Sequence, residues 1–215
     1  MSDKKPRDVL QSVDDEVRRQ AKQIVRTARF AALGTLDAET GAPSVSRIAI
    51  ATFASGDPGF FISALAAHQR NLVKDRRCSL LLGEPGKGDA LAHPRMTLIG
   101  EARVLDDGPE RDAFRARYRE HNSKSKLYQD LPDFTYWRFR TIKASLNGGF
   151  GKAYALQPSD LIVASDVPAE WGDVEPRVIE HMNSDTRRLS IATPTLPVAT
   201  ATAGGSRASI LKAWT

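Results

Sequence analysis

One arginine stands inside an otherwise apolar, β-branched run, and the search for chemistry starts there. In PSVSRIAIATF (residues 43–53), strand alternation places Arg47 on one face with Val45, Ala49 and Ala51, while Ser46, Ile48 and Ile50 point the other way. A charge among small apolar neighbours needs a partner or a route to water. As a functional group, its fork of paired donors would clamp a phosphate or carboxylate. As a rim residue it would simply reach out to solvent along its apolar stem. The pattern alone weighs these two readings equally. The second place is SALAAHQRNL (residues 63–72), where a strand runs into a helix through Ala64, Ala66 and Ala67. Small residues there leave the first backbone N–H groups of the helix bare, and with the helix dipole they favour an anion. His68, Gln69, Arg70 and Asn71 add side-chain donors, although His68 also reads as an ordinary surface histidine. The junction is weak evidence alone and gains weight beside Arg47 on the preceding strand of a hairpin.

Other motifs point mostly to what is absent. Arg95 stands at the mouth of a later strand, and NGGFG (residues 147–151) would let backbone approach a flat ligand closely. These glycines lack the spacing of a dinucleotide fingerprint, and GEPGKGD (residues 83–89) lacks the lysine-hydroxyl end of a phosphate loop, so both read as turns. His68, His93, His121 and His181 are too scattered for a metal site, and Cys78 sits mid-strand as a small buried hydrophobe, so neither a metal nor thiol chemistry is expected. The chain has 215 residues, with 31 Lys and Arg against 26 Asp and Glu, a net charge of +5. That field is modest and both signs alternate almost everywhere, so no nucleic-acid partner is expected. The most basic stretch, residues 111–126, has the helical spacing of a solvated amphipathic helix. A charged N-terminus, a single cysteine and no apolar run of membrane-spanning length lead to the expectation of a cytoplasmic protein with no membrane partner.

These residues need elements to hold them. A helix is expected over residues 13–29, capped by Ser12 and with Asp14, Asp15 and Glu16 in its first turn. Strands are expected at 30–36, 43–53 and 59–65, then a helix at 66–76, strands at 78–82 and 96–105, a helix at 110–119, and strands at 134–146 and 152–156. Gly100 marks a bulge or a close approach within its strand. Six or seven strands with helices inserted singly, and no βαβ alternation, indicate a mainly β, α+β fold closed as an antiparallel barrel. Ser159 and Asp160 would cap one helical turn, and Pro176 opens a further helix in VEPRVIEHMNSD. The resulting organisation is an N-terminal arm (1–12), a barrel domain (13–161), a linker with the start of a small helical domain (162–185), and an atypical tail (186–215). The tail is rich in Thr, Ala, Arg and Pro without either hydrophobic period, a composition that out-of-frame reading of a GC-rich gene produces, so a frameshifted or truncated gene product is expected, with natural divergence as the alternative. It is expected to lack structure of its own.

The succession FAALGTL, PSVSRIAIA, GFFISALAAHQRNLVKDRRCSLLL and PRMTLIGEARVL resembles the pyridoxamine 5′-phosphate oxidase-related FMN-binding split barrels. LAAHQRNL, PRMTLIG, DFTYWRF and NGGFGKAY are most similar to the branch that includes haem-utilisation proteins. The resemblance implies a six-stranded split barrel with flanking helices, dimeric, with FMN at the subunit interface. It assigns Arg47 to the phosphate, the backbones of Ile48 and Ala49 to the flavin, and Ser63 to a hydroxyl position on the next strand. His68 and Gln69 fall where the oxidases carry an Arg-Lys pair, with the helix N-terminus and Asn71 left to compensate, and Arg95 falls near the position reached from the partner subunit. The oxidases' C-terminal substrate-binding arginine and histidine have no match around residues 147–154, so pyridoxamine phosphate oxidation itself is not expected.

The function expected is therefore that of an FMN-binding flavoprotein, an oxidoreductase acting on a small molecule, in which the flavin carries the redox chemistry and no catalytic side chain is named. The alternatives are a haem-binding or haem-degrading protein on the same dimeric barrel, with His68, His121 or His181 as axial ligand, and a non-catalytic flavin-binding module.

Overall fold

The computed structural model describes residues 10–162 apart from 129 and 150, and residues 177–184 apart from 179 and 183. The chain divides into two units, residues 1–168 and 169–215. In the second unit, residues 177, 178, 180–182 and 184 are helical, as the pattern after Pro176 leads one to expect. The expectations for residues 1–9, 163–176 and the tail from 185 onward lie outside the described residues.

Helix α1 (Asp15–Thr27) buries Val17, Ala21 and Val25, the stripe that its three- and four-residue spacing foretells. Its cap is Asp14, whose carboxylate accepts the Val17 N–H at 2.9 Å, rather than Ser12. The helix starts where an oxygen can reach the third N–H, and Asp14 stands in that place.

Strands β1 (Phe30–Leu36), β2 (Pro43–Thr52), β3 (Pro58–Ser63), β4 (Arg77–Leu82), β5 (Arg95–Val104) and β6 (Phe134–Asn147) form one antiparallel barrel. Its order is β3-β2-β1-β4-β5-β6, closed by pairing of β3 with β6, and β7 (Ala153–Leu156) extends the sheet from β6. The fold is thus the six-stranded α+β split barrel, with one extra strand. Alternate residues turn inward: Ala31 and Leu33 from β1, Ile48 and Ile50 from β2, Leu80 and Leu82 from β4, Met96 and Leu98 from β5, and Phe139 from β6 all enter the same buried core. Gly100 marks a register shift in the β5–β6 ladder, and a Cβ there would collide with the Arg140 carbonyl, so bulge and close approach coincide.

A second core lies outside the barrel. Helix α3 (Pro109–His121) lays Phe114 and Tyr118 on Ala51, Phe53, Phe61 and Tyr136. Phe114 stacks on Phe53 with ring centroids 4.2 Å apart, and Phe61 stacks on Tyr136 at the same distance. Helix α2 (Ala67–Lys74) follows β3, and α4 (Pro158–Leu161) is a single turn capped by Gln157 with Asp160, not by Ser159. Two short 3-10 turns lie at Ala90–Ala92 and Ser123–Leu127; the second falls in the stretch 111–126, whose helical spacing is realised in α3 only as far as His121. Among the described residues no helix is long and apolar enough to cross a membrane, and no cluster of His, Cys, Asp and Glu has the makings of a metal site. Cys78 is buried, and desolvation pushes its thiol up to about 12, which leaves it without thiolate chemistry near neutral pH.

Candidate functional site: the open edge of β2

The barrel is split where β2 and β3 part. β3 pairs with β2 only from Ile50↔Phe60 to Thr52↔Pro58, and its remaining residues turn to β6 through Phe61↔Tyr136, Ile62↔Thr135 and Ser63↔Phe134. From Pro43 to Ala49, β2 is paired with β1 alone. The Ile50 N–H donates to the Arg29 carbonyl on the β1 side at 3.1 Å. Backbone groups alternate along a strand, so those of Ile48 are also committed to β1, whereas those of Arg47 and Ala49 face the gap. Of the two backbones assigned to a flavin by resemblance, that of Ala49 is therefore the one on the open edge.

The Arg47 side chain is exposed and lies over the Phe30 ring, 5.3 Å from its centroid. Among the described residues no carboxylate pairs with it. The small neighbours on its face have different fates. Ala51 is covered by α3, and Ala49 packs at the margin of that cluster, while Val45 is 72 % exposed. The ladder registers place Val45 beside Gly34, Ser79 and Ile99 in one row, and Arg47 beside Ala32, Leu81 and Thr97 in the next. Val45, Leu81, Ile99 and Phe30 are all exposed large hydrophobics, so one apolar face of the barrel surrounds Arg47.

The other assigned residues are less uniform. The Ser63 hydroxyl donates to Asp133 at 2.5 Å and accepts the Leu65 N–H at 3.1 Å, which fixes the exit of β3. The N–H groups of Ala67 and His68 open α2 without a side-chain cap. His68 Nδ1 meets the Ser46 hydroxyl at 3.1 Å, so it lies toward the face of β2 opposite Arg47. Burial holds the His68 ring below the usual imidazole range, which favours the neutral form. Gln69 is half-buried on the same first turn.

Asn71 is engaged elsewhere. It is buried, its amide donates to Thr35 at 3.0 Å, and its carbonyl accepts the Ala38 N–H at 2.9 Å. It pins α2 to the β1–β2 turn, helped by Lys74 donating to the Ala38 carbonyl, and does not face the gap. Arg95 closes its own loop by donating to the Leu91 carbonyl at 3.0 Å. Gly149 in NGGFG also serves the chain itself: its φ is +107°, and a Cβ there would stand 2.8 Å from the Ala92 carbonyl. The close approach read from those glycines is one of backbone to backbone. Of the histidines, His121 Nε2 meets the Ala28 carbonyl at 3.0 Å, and His93 Nε2 meets that of Lys87 at 3.0 Å.

The lowered His68 value has a consequence for stability. Its folded pKa is depressed, so the unfolded chain binds the extra proton first, and stability falls as pH drops below about 6.5, the ordinary imidazole value. Denaturant unfolding at pH 7.5 and pH 5.5 is expected to show this loss in the native chain and a smaller one in His68→Gln (both chosen to bracket roughly that value). Equal losses in the two chains would take His68 out of the acid response.

The family model for pyridoxamine 5′-phosphate oxidase matches residues 17–147, which span most of α1 and all six barrel strands. The chain belongs to the pyridoxamine 5′-phosphate oxidase family. Over 115 residues it is 34% identical to the chloroplastic non-canonical heme oxygenase HOZ of Arabidopsis thaliana, covering 53% of this chain and 34% of that protein. A solved protein of unknown function from Agrobacterium tumefaciens is 38% identical, with a TM-score of 0.63, over 71% of this chain and 62% of that one. A heme binding protein from Mycobacterium smegmatis is 29% identical with a TM-score of 0.63, over 70% of this chain and 61% of that one. The chain thus spans about a third of the heme oxygenase's length and about three fifths of each of these two structures.

Proposed function

We propose that this chain is an FMN-binding flavoprotein, an oxidoreductase for a small molecule, that works as a homodimer with the flavin between its subunits. The observation that carries the reading is Arg47: a guanidinium with no carboxylate partner among the described residues, beside an unpaired strand edge, in an exposed apolar face. A guanidinium so placed offers paired donors to a phosphate. The Ala49 backbone offers hydrogen bonds at the edge of a flat ring, and the bare N–H groups of Ala67 and His68 add donors at the start of α2. The Arg-Lys pair of the oxidases is replaced here by His68 and Gln69, so the phosphate is held with less formal charge and more by neutral donors. A second copy laid against Val45, Leu81 and Ile99 would cover the apolar rows and keep water from the ring. FMN supplies the hydride or electron chemistry when bound, and the chain's part is to bind and orient it.

Haem is the second reading, favoured by the heme-related relatives and by one geometric fact. Ser46 holds His68 Nδ1, burial favours its neutral ring, and Nε2 has no partner among the described residues, the state in which an imidazole ligates iron. Presenting the purified chain with FMN and hemin in competition separates the two. Retention of flavin through gel filtration, in preference to hemin, is expected. Retention of hemin alone, abolished in His68→Ala, would replace the flavin reading with the haem one.

A further inference from the structure

Far along the sheet from Arg47, where β5 and β6 pass the β2–β3 turn, lies a half-open cavity of about 410 Å³. Four guanidiniums line it, those of Arg76, Arg103, Arg138 and Arg140, against two lining carboxylates, Asp57 and Glu101. The size is that of a small-ligand pocket. Three of the arginines are held in place. Arg138 pairs with Asp57 and with Glu110 at 2.7 Å, and it lies over the Phe53 ring at 4.6 Å. Arg103 shares Glu110 at 2.7 Å, and Arg140 pairs with Glu101 at 3.1 Å. Arg76, exposed at the end of the α2–β4 connection, has no side-chain partner among the described residues, although its carbonyl is fixed by the Ala102 N–H at 2.9 Å.

We propose that this cavity is a second anion site, distinct from the Arg47 edge, and that it takes a small organic phosphate. The lining carries four positive charges against two negative ones, and counting Glu110 behind Arg103 still leaves a surplus of one. The ion pairs fix the Arg103 and Arg138 guanidiniums, which set the positive field of the cavity before a ligand arrives. Arg138 is too deeply engaged to turn, which leaves Arg76 and Arg140 as the arms that meet the anion; Arg140 is 69% exposed and tied by a single contact. Ile162 gives the cavity an apolar margin, which suits the carbon portion of a phosphate ester better than free phosphate.

The proposal is independent of the flavin reading, and its test separates the two. Inorganic phosphate and phenyl phosphate are titrated calorimetrically into the whole chain and into Arg76→Ala, Arg140→Ala, Arg76→Lys and Arg47→Ala, each first shown to fold by circular dichroism. Loss of one charged hydrogen-bonding partner is expected to weaken phosphate about tenfold in Arg76→Ala and in Arg140→Ala. Partial recovery in Arg76→Lys, a phosphate-binding event that persists in Arg47→Ala, and tighter binding of phenyl phosphate than of phosphate complete the expected pattern. No phosphate binding by the native chain, or binding lost only in Arg47→Ala, would overturn it. So would binding untouched by both the Arg76 and Arg140 substitutions.

Discussion

Replacing Phe114 with alanine is expected to destabilise the chain by about 3–5 kcal/mol, the usual cost of emptying a buried phenylalanine site. Phe114 is fully buried, stacks on Phe53, and stands 5.9 Å from Tyr118 and 6.0 Å from Tyr136 between ring centroids. Gly59 lies directly beneath the ring, where a Cβ would strike it, so the helix and the sheet are already at their closest approach. The barrel interior has no spare side chain to fill the void, because it is a separate cluster on the other side of the sheet. Urea unfolding measures the change. A loss below about 1 kcal/mol would mean that α3 is not firmly seated on β2 and β3. The effect reaches the site as well, since Phe61 in the same cluster lies two residues before Ser63 at the β3 exit.

Arg47→Ala is expected to weaken FMN by about 1.5–3 kcal/mol, roughly tenfold to more than a hundredfold, the value of hydrogen bonds to a charged partner. Riboflavin, which lacks the phosphate, should lose little. Fluorescence titration of the apo-protein with both ligands reads the difference. Equal losses for the two would mean that Arg47 supports the ring or the fold rather than the phosphate. The substitution removes only an exposed side chain resting on Phe30, so folding should be affected by less than about 0.5 kcal/mol.

The barrel was legible because its signal is local. Alternation along FAALGTL and PSVSRIAIATF has the period of the pleat, and β1 begins and ends where the pattern does. The helices follow from apolar stripes, while the cap falls on Asp14 rather than Ser12 because the Asp14 carboxylate is the one that reaches the Val17 N–H. What the sequence could not display is which edge each strand offers to which neighbour. β3 pairs with both β2 and the distant β6 at Gly59 and Phe60 and with β6 alone from Phe61 on, and this opens the edge at Arg47 and Ala49. Asn71 illustrates the same limit. On the helix it stands among polar residues that read as donors, but its partner Thr35 is 36 residues away on β1. Arg138 gave no motif at all, because Asp57 and Glu110 meet it only across the folded sheet. A local signal was present nonetheless in RFR (residues 138–140), where two arginines share the outer face of a strand that buries Phe139 between them.

Whether two copies hold FMN against the Arg47 face is decided by sedimentation velocity of the FMN-loaded chain at micromolar concentration, followed by protein and flavin absorbance together. One boundary at the mass of a dimer carrying flavin is expected, with separation into monomers and loss of flavin when Val45 and Ile99, the two ends of the same exposed row, are both changed to aspartate. Flavin travelling with a monomer, or a dimer that survives the double substitution with its flavin intact, would contradict it.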